Sequence, residues 1–382
     1  MASLIPTDFE SVSTIAFLAF LVILAIRDRK NIEFKYGVLI RRMQRGKEWI
    51  YEVGDNHKKF FSLFGYGAIV VGIIASLISF YFILQSSYSI ITNPQEARPG
   101  LQPIIPRVPS ATICRYALCV PFWYWIIGVL VVLLSHELCH AFVARAENIR
   151  IKSFGLLSLL VLPGAFVEPD ERQLKKSSSI TKLKIYAAGS FANIIVFALS
   201  TGLSIAIFNN LYVESGVQYQ TLVQESPAEA AGLAGVITEI NGHAIKNLDD
   251  FRNAMGGVKI GQTVNIKTTE GTFRFTTVAS PDNPDQSFIG ISNAGTFYGV
   301  ISAVGQLAGS VEWVYQLLVW IGFLNIGIGL VNLLPIKPLD GGLVYEEILR
   351  NVSRKHAGFL INAISVITFA IILVNILGPY VL

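Results

Sequence analysis

The chain has 382 residues, of which 52% are hydrophobic and only 15% charged, and its mean hydropathy is +0.54. Two or three soluble domains would fit the length, but several uncharged stretches reach bilayer-spanning length and point instead to a polytopic α-helical membrane protein. The net charge of +4 is too modest to mark a nucleic-acid partner. Cys114, Cys119 and Cys139 are too few for a disulfide framework. A Cys114–Cys119 bridge is one option; free buried thiols are the expectation.

About six transmembrane helices are expected. The first, residues 11–26, has no basic segment ahead of it and so reads as a retained span, not a cleaved signal. As a helix its 16 residues rise only roughly 24 Å, against a hydrocarbon thickness of ~30 Å. Residues 60–84 form the second and carry no charge; 121–144, 185–208, 313–336 and 357 onward supply the others. Ten Lys or Arg lie between the first and second spans, eight between the third and fourth, and four between the fifth and sixth. Twenty-two of the 30 basic residues therefore fall on one face. The positive-inside rule makes that face cytoplasmic and leaves both termini outside.

The connections differ in character. Residues 92–112 are proline-rich and are expected to form an irregular external loop. Residues 154–168 are apolar, too short to cross, and broken at Pro163-Gly164. They read as a re-entrant or interfacial hairpin, with an amphiphilic loop packed on the bundle as the competing reading.

The long segment after residue 208 is soluble in character. Short β-like runs at 221–224, 236–240, 264–268 and 272–278 are punctuated by Asn241-Gly242 and Glu270-Gly271. Short helices are expected at 228–233 and 248–255, the second entered through Asn247. Together these make a small inserted α+β domain. Residues 293–310 read as a small-residue stretch leading into the fifth span. No internal repeat is present, which argues against the inverted-repeat design of many transporters.

Ser135-His136-Glu137-Leu138-Cys139-His140 lies in the third span. Helical positions four apart share a face, so His136 and His140 can hold one metal ion while Glu137 holds a water beside it. Ionisable residues are strongly avoided in such segments, which raises the weight of the pattern. Zinc hydrolysis requires a third protein ligand. Asp340, in Asn332-Leu-Leu-Pro335-Ile-Lys-Pro338-Leu-Asp340-Gly341-Gly342, is the best placed, at a depth matching the histidines. Pro335 and Pro338 break the helix there, and the two glycines permit close backbone approach. A simple turn residue is the alternative for Asp340 alone.

The two motifs together resemble the site-2 protease family of intramembrane zinc metalloproteases. That resemblance implies Zn2+ held by His136, His140 and Asp340, with Glu137 as the base. Gly189-Ser-Phe-Ala-Asn193 looks like a further element of such cores. Asn193, Asn332 and Gly164 are candidates for holding substrate or the oxyanion. Glu225-Ser-Pro-Ala-Glu229 through Asp249-Asp-Phe251 is similar to protease-associated PDZ domains, although Ala234-Gly235-Val236 replaces their usual Gly-Asp before the Ile strand.

The implied organisation is an N-terminal two-span extension (1–114) of no assigned role, a first segment of the catalytic membrane core (115–208), a PDZ-like domain (209–295) and a second core segment (296–382). The expected partners are membrane-spanning protein substrates, the lipid bilayer, and a peptide C-terminus at the PDZ-like domain. A catalytically silent PDZ-bearing scaffold or receptor, and a transporter, stand as the other readings.

Overall fold

The computed structural model describes residues 9–35, 38–43, 46–94, 99–107, 114, 117–159, 162–281 and 283–381. Among them eleven α-helices follow one another: α1 (Phe9–Arg27), α2 (Lys47–Asn56), α3 (Lys58–Thr92), α4 (Phe122–Ala146), α5 (Glu171–Lys176), α6 (Ser179–Leu211), α7 (Pro227–Ala230), α8 (Leu248–Gly256), α9 (Ala308–Asn332), α10 (Asp340–Val352) and α11 (Ala357–Val381). Two units divide the chain, Met1–Leu203 with Gln316–Leu382, and Ser204–Tyr315. Five helices (α3, α4, α6, α9 and α11) are long and apolar enough to cross a membrane. Helix α1, with 19 residues or about 28 Å, is the shorter apolar helix.

The first unit is held together by small residues. On α3 the buried positions include Gly65, Ala68, Gly72, Ser76, Ser79 and Ser87, three or four apart for the most part, while Leu63, Val70, Ile74, Leu77 and Tyr81 are exposed. An apolar exterior and a small-residue seam are what packing within lipid selects. Helix α9 follows the same rule: Leu324 sits against Gly128 of α4, and Gly329 lies against Ser190 and Asn193 of α6. Polar residues join the seams at the helix ends. Buried Lys184 of α6 donates to Glu147 (2.8 Å) and Ser62 (2.9 Å) and lies over the Tyr66 ring, tying α3 to the end of α4. Arg145 pairs with both carboxylate oxygens of Asp55 at 2.8 Å and stacks on Tyr51.

A four-stranded antiparallel sheet completes this unit: β1 (Ile32–Lys35), β2 (Val38–Met43), β3 (Ile151–Leu159) and β4 (Leu162–Pro169), in that order across the sheet. The hairpin expected between the third and fourth spans is thus present, but its turn is displaced. Pro163 and Gly164 lie inside β4, Gly164 opposite Leu157, and residues 160–161 lie outside the described residues. The N-terminal extension is no appendage, since β2 pairs with β3 from Val38↔Leu159 to Met43↔Phe154.

The second unit carries a six-stranded sheet. Its main path runs Thr272–Thr276, Thr263–Thr268, Ile237–Ile240, Tyr212–Gln218, Gly295–Val300, with His243–Ala244 beside Ile237–Ile240. Alternation in Thr263–Thr268 turns Val264 and Ile266 inward, where they meet Val217, Ile237, Ile240 and Ile289. Helix α8 opens with Asn247 accepting from Asp250 N–H at 2.9 Å, a side-chain cap legible in the sequence. Residues 293–310 differ from expectation: Gly295–Val300 is a strand paired with Tyr212–Gln218. Its glycines masked the Phe297–Tyr298 strand signal.

The proline-rich connection differs from expectation in two respects among its described residues. Ile104–Pro106 is a strand, parallel to Leu118–Val120. Cys114 and Cys119 form a disulfide instead of remaining free thiols. A count of cysteines does not show that a chain return brings two of them within bridging distance. Cys139 is free.

The Lys184–Glu147 pair gives a test of how the bundle is held. Lys184→Met leaves the Glu147 carboxylate with only the Ser62 and Thr181 hydroxyls and is expected to cost about 1–3 kcal/mol, read as a fall in Tm of the detergent-solubilised protein. Adding Glu147→Gln should recover most of the loss.

Candidate metal centre

The site is assembled from four elements, and their backbones do much of the positioning. Helix α4 places His136 and His140 one turn apart, with Nε2 atoms 3.1 Å from each other and rings at 79°. Helix α6 can lie against these rings because residue 189 is glycine. A Cβ there would overlap His140 Nε2 and come within 2.7 Å of His136 Nε2. His140 Nδ1–H donates to the Ile185 carbonyl of α6 at 2.6 Å, which fixes its tautomer and leaves the Nε2 lone pair free.

Asp340 is the first residue of α10, and its Oδ2 lies 3.2 Å from His136 Nε2 and 3.3 Å from His140 Nε2. Ser190 Oγ–H donates to the same oxygen at 3.2 Å. The turn leading to Asp340 is folded tightly on itself. A Cβ on Gly341 would collide with the Leu333 carbonyl, and one on Gly342 with the Ile336 carbonyl. That Leu333 carbonyl accepts from Ser76 Oγ of α3 at 2.7 Å. Burial alone would raise the Asp340 carboxyl, but the imidazoles of His140 and His136 hold it well below the usual carboxylate range.

His136, His140 and Asp340 therefore present three ligand atoms at edges of 3.1, 3.2 and 3.3 Å. A tetrahedral zinc with bonds of about 2.0–2.2 Å separates its ligand atoms by about 3.3–3.6 Å, so the triangle fits with a shift of a few tenths of an ångström. Two imidazole nitrogens and one carboxylate oxygen leave a fourth position open.

Glu137, next on α4, points to the sheet. Its Oε2 accepts from Val167 N–H of β4 at 2.9 Å. Asn193 faces His136 from behind: its amide nitrogen lies 3.2 Å from His136 Nδ1 and its oxygen 3.0 Å from Ser135 Oγ. A half-turn of the amide, equivalent in shape, lets its oxygen accept from His136 Nδ1–H and its nitrogen donate to Ser135. Ser135 then gives its one proton to the Val132 carbonyl 3.1 Å away, and His136 Nε2 is left with a lone pair for the metal. Of the other candidates, Asn332 closes α9 and makes no hydrogen bond to the triad among the described residues, and Gly164 lies in β4. Ser76, Ser190, the Ile185 carbonyl and Val167 N–H went unnoticed in the sequence. A main-chain group has no residue signature, and serine is common in membrane helices.

The amide arrangement is testable by metal retention. Asn193→Leu is expected to weaken metal binding about 10–100-fold in chelator competition, the usual cost of removing a partner behind a ligand. Asn193→Asp, which keeps an acceptor for Nδ1–H, should lose much less.

Comparison with known proteins agrees with the geometry. The model of peptidase family M50 matches residues 124–375, a stretch containing all three ligand candidates and Glu137. An uncharacterised protein of Methanocaldococcus jannaschii is 28% identical over 337 residues, covering 87% of this chain and 83% of its own. A Clostridium perfringens protein, whose name assigns it provisionally to the zinc metalloproteases, is 25% identical over 316 residues, covering 63% of this chain and 91% of its own. The chain is a multi-pass membrane protein that belongs to peptidase family M50, the site-2 protease family.

Proposed function

We propose that this protein is an intramembrane zinc metalloprotease that hydrolyses peptide bonds in or near transmembrane segments of membrane-anchored substrates. The observation that carries the proposal is the convergence of His136, His140 and Asp340 beside a glutamate held against a strand edge. Zinc held by the three side chains would supply a Lewis acid for the scissile carbonyl. Glu137 takes a proton from the attacking water and later delivers it to the leaving amine. Val167 N–H restrains one carboxylate oxygen, which leaves the other for the water. His140 and His136 are kept in their ligating tautomers by the Ile185 carbonyl and Asn193, and Ser190 steadies Asp340.

A transmembrane helix satisfies its backbone internally, so a substrate must unwind before a peptide bond can be reached. Edge strand β4 is suited to receive the unwound segment by strand addition. A cleft of about 630 Å³ lies over one face of this sheet, lined by Ile40 and Arg42 of β2, Leu157 of β3, Phe166 of β4, Tyr186 of α6 and Leu343 of α10.

Orientation follows from charge and chemistry. The basic loops put the histidine-bearing end of α4 on the cytoplasmic side, and α1 serves as the sixth span. The Cys114–Cys119 disulfide lies in the connection assigned to the opposite face, where an oxidising compartment would preserve it. The inserted domain, on the same outer face as both termini, is PDZ-like and selects substrates by an exposed peptide end. A fluorescent peptide with a free C-terminus should bind the full-length protein, and amidation of that end should abolish binding; equal binding of both peptides would refute a PDZ-like role.

The test of the protease reading combines metal analysis with cleavage of a single-span substrate. The purified protein should contain zinc near one equivalent. Glu137→Gln should keep the metal and lose at least about 100-fold in cleavage rate, as expected when an acid–base group is removed. A protein without zinc that cleaves nothing would leave the silent-scaffold reading standing, and cleavage that ignores Glu137 would overturn its role as the base.

A further inference from the structure

We propose that the substrate segment joins β4 in a single register, main chain to main chain at Ala165. The inference rests on the protease reading and deepens it. Sheet order leaves β4 with one partner, β3, because β2 occupies the other edge of β3. In an antiparallel ladder alternate residues turn both N–H and C=O to the same side. Val167 N–H leaves the sheet to reach Glu137, so Val167 is an outward-facing residue of β4. Ala165 and Pro163, two and four positions earlier by the same parity, face outward as well. Gly164 and Phe166, opposite Leu157 and Gly155, face β3.

The outward edge is poor in donors, although the carbonyls of Pro163 and Val167 face out with that of Ala165. Pro163 has no N–H, nor has Pro169 at the end of the strand. Val167 N–H is already taken by the carboxylate. Among the described residues of β4, Ala165 is then the one outward residue that offers a free N–H together with its carbonyl. Proline at both flanks is a known device for blunting an edge against unspecific pairing. Here it leaves one free donor, beside the metal centre.

That donor sets a distance. Ala165 and Val167 are two residues apart, or about 6.6 Å along a strand. The carboxylate of Glu137 is anchored at Val167, so the peptide bond under attack lies about two residues from the substrate residue paired with Ala165. The pairing supplies two main-chain hydrogen bonds to any sequence, and selectivity comes from how readily the segment leaves its helix.

The experiment uses the full-length protein, a single-span substrate, and metal content measured on every sample. Ala165→Pro removes the one free donor and is expected to lower kcat/KM at least about tenfold with zinc retained. Pro163→Ala adds a second outward donor and is expected to lower KM about 3–10-fold at unchanged kcat. Zinc-loaded Ala165→Pro with unaltered kcat/KM, or Pro163→Ala with unaltered KM, would overturn the register while leaving the protease intact. A zinc-loaded unaltered protein that cleaves nothing would overturn both readings together.

Discussion

Polar groups inside an apolar bundle are tolerated only when each is met by a partner, and at this site every one of them is. His140 is met by a backbone carbonyl, His136 by Asn193, Asp340 by Ser190 and both imidazoles, and Glu137 by a strand N–H. Each partner has a further requirement of its own. The Ile185 carbonyl is within reach only because Gly189 brings α6 against the rings, and Val167 N–H is free only because β4 has no outer neighbour. The cost of burying the site is thus spread over helix packing and sheet order, and is not carried by the four polar side chains alone.

The N-terminal extension takes a share in this arrangement. Ser76 of α3 holds the Leu333 carbonyl under the turn that ends at Asp340, and Arg145, five residues after His140, is clamped by Asp55 and Tyr51 from α2. Strand β2 occupies the inner edge of the hairpin. The family match begins at residue 124, so these contacts come from outside the matched region and still bear on the ligand geometry.

The legible features of the site were those with a side-chain signature and a fixed spacing. His136, Glu137 and His140 announce themselves by i, i+1, i+4 in an apolar run, and Asp340 by the prolines and glycines around it. Asn193 was visible as a polar residue in a helix, but its place behind His136 was not, since an amide serves equally as an oxyanion donor or as a ligand's support. The β1–β2 contribution was hidden because edge pairing is decided between segments over 100 residues apart, and short strands carry little periodicity. Pro163-Gly164 misled for a physical reason: the pair is a good turn former, yet on an edge strand proline's missing N–H faces away from the sheet and costs nothing there.

The parts of the site come into being in a fixed order. His136 and His140 leave the ribosome about 200 residues before Asp340, an interval of about 10–40 s at 5–20 residues per second. Throughout it the histidines sit in a finished α4 without Asp340 beside them and with no turn for Ser76 to hold. The strands of the inserted domain are complete in sequence before α9 begins, so its sheet can form before Asp340 joins the histidines. On the proposed protease reading the nascent chain is its own inactive precursor, and the three side chains meet only with the insertion of α9 and the docking of the Asp340 turn.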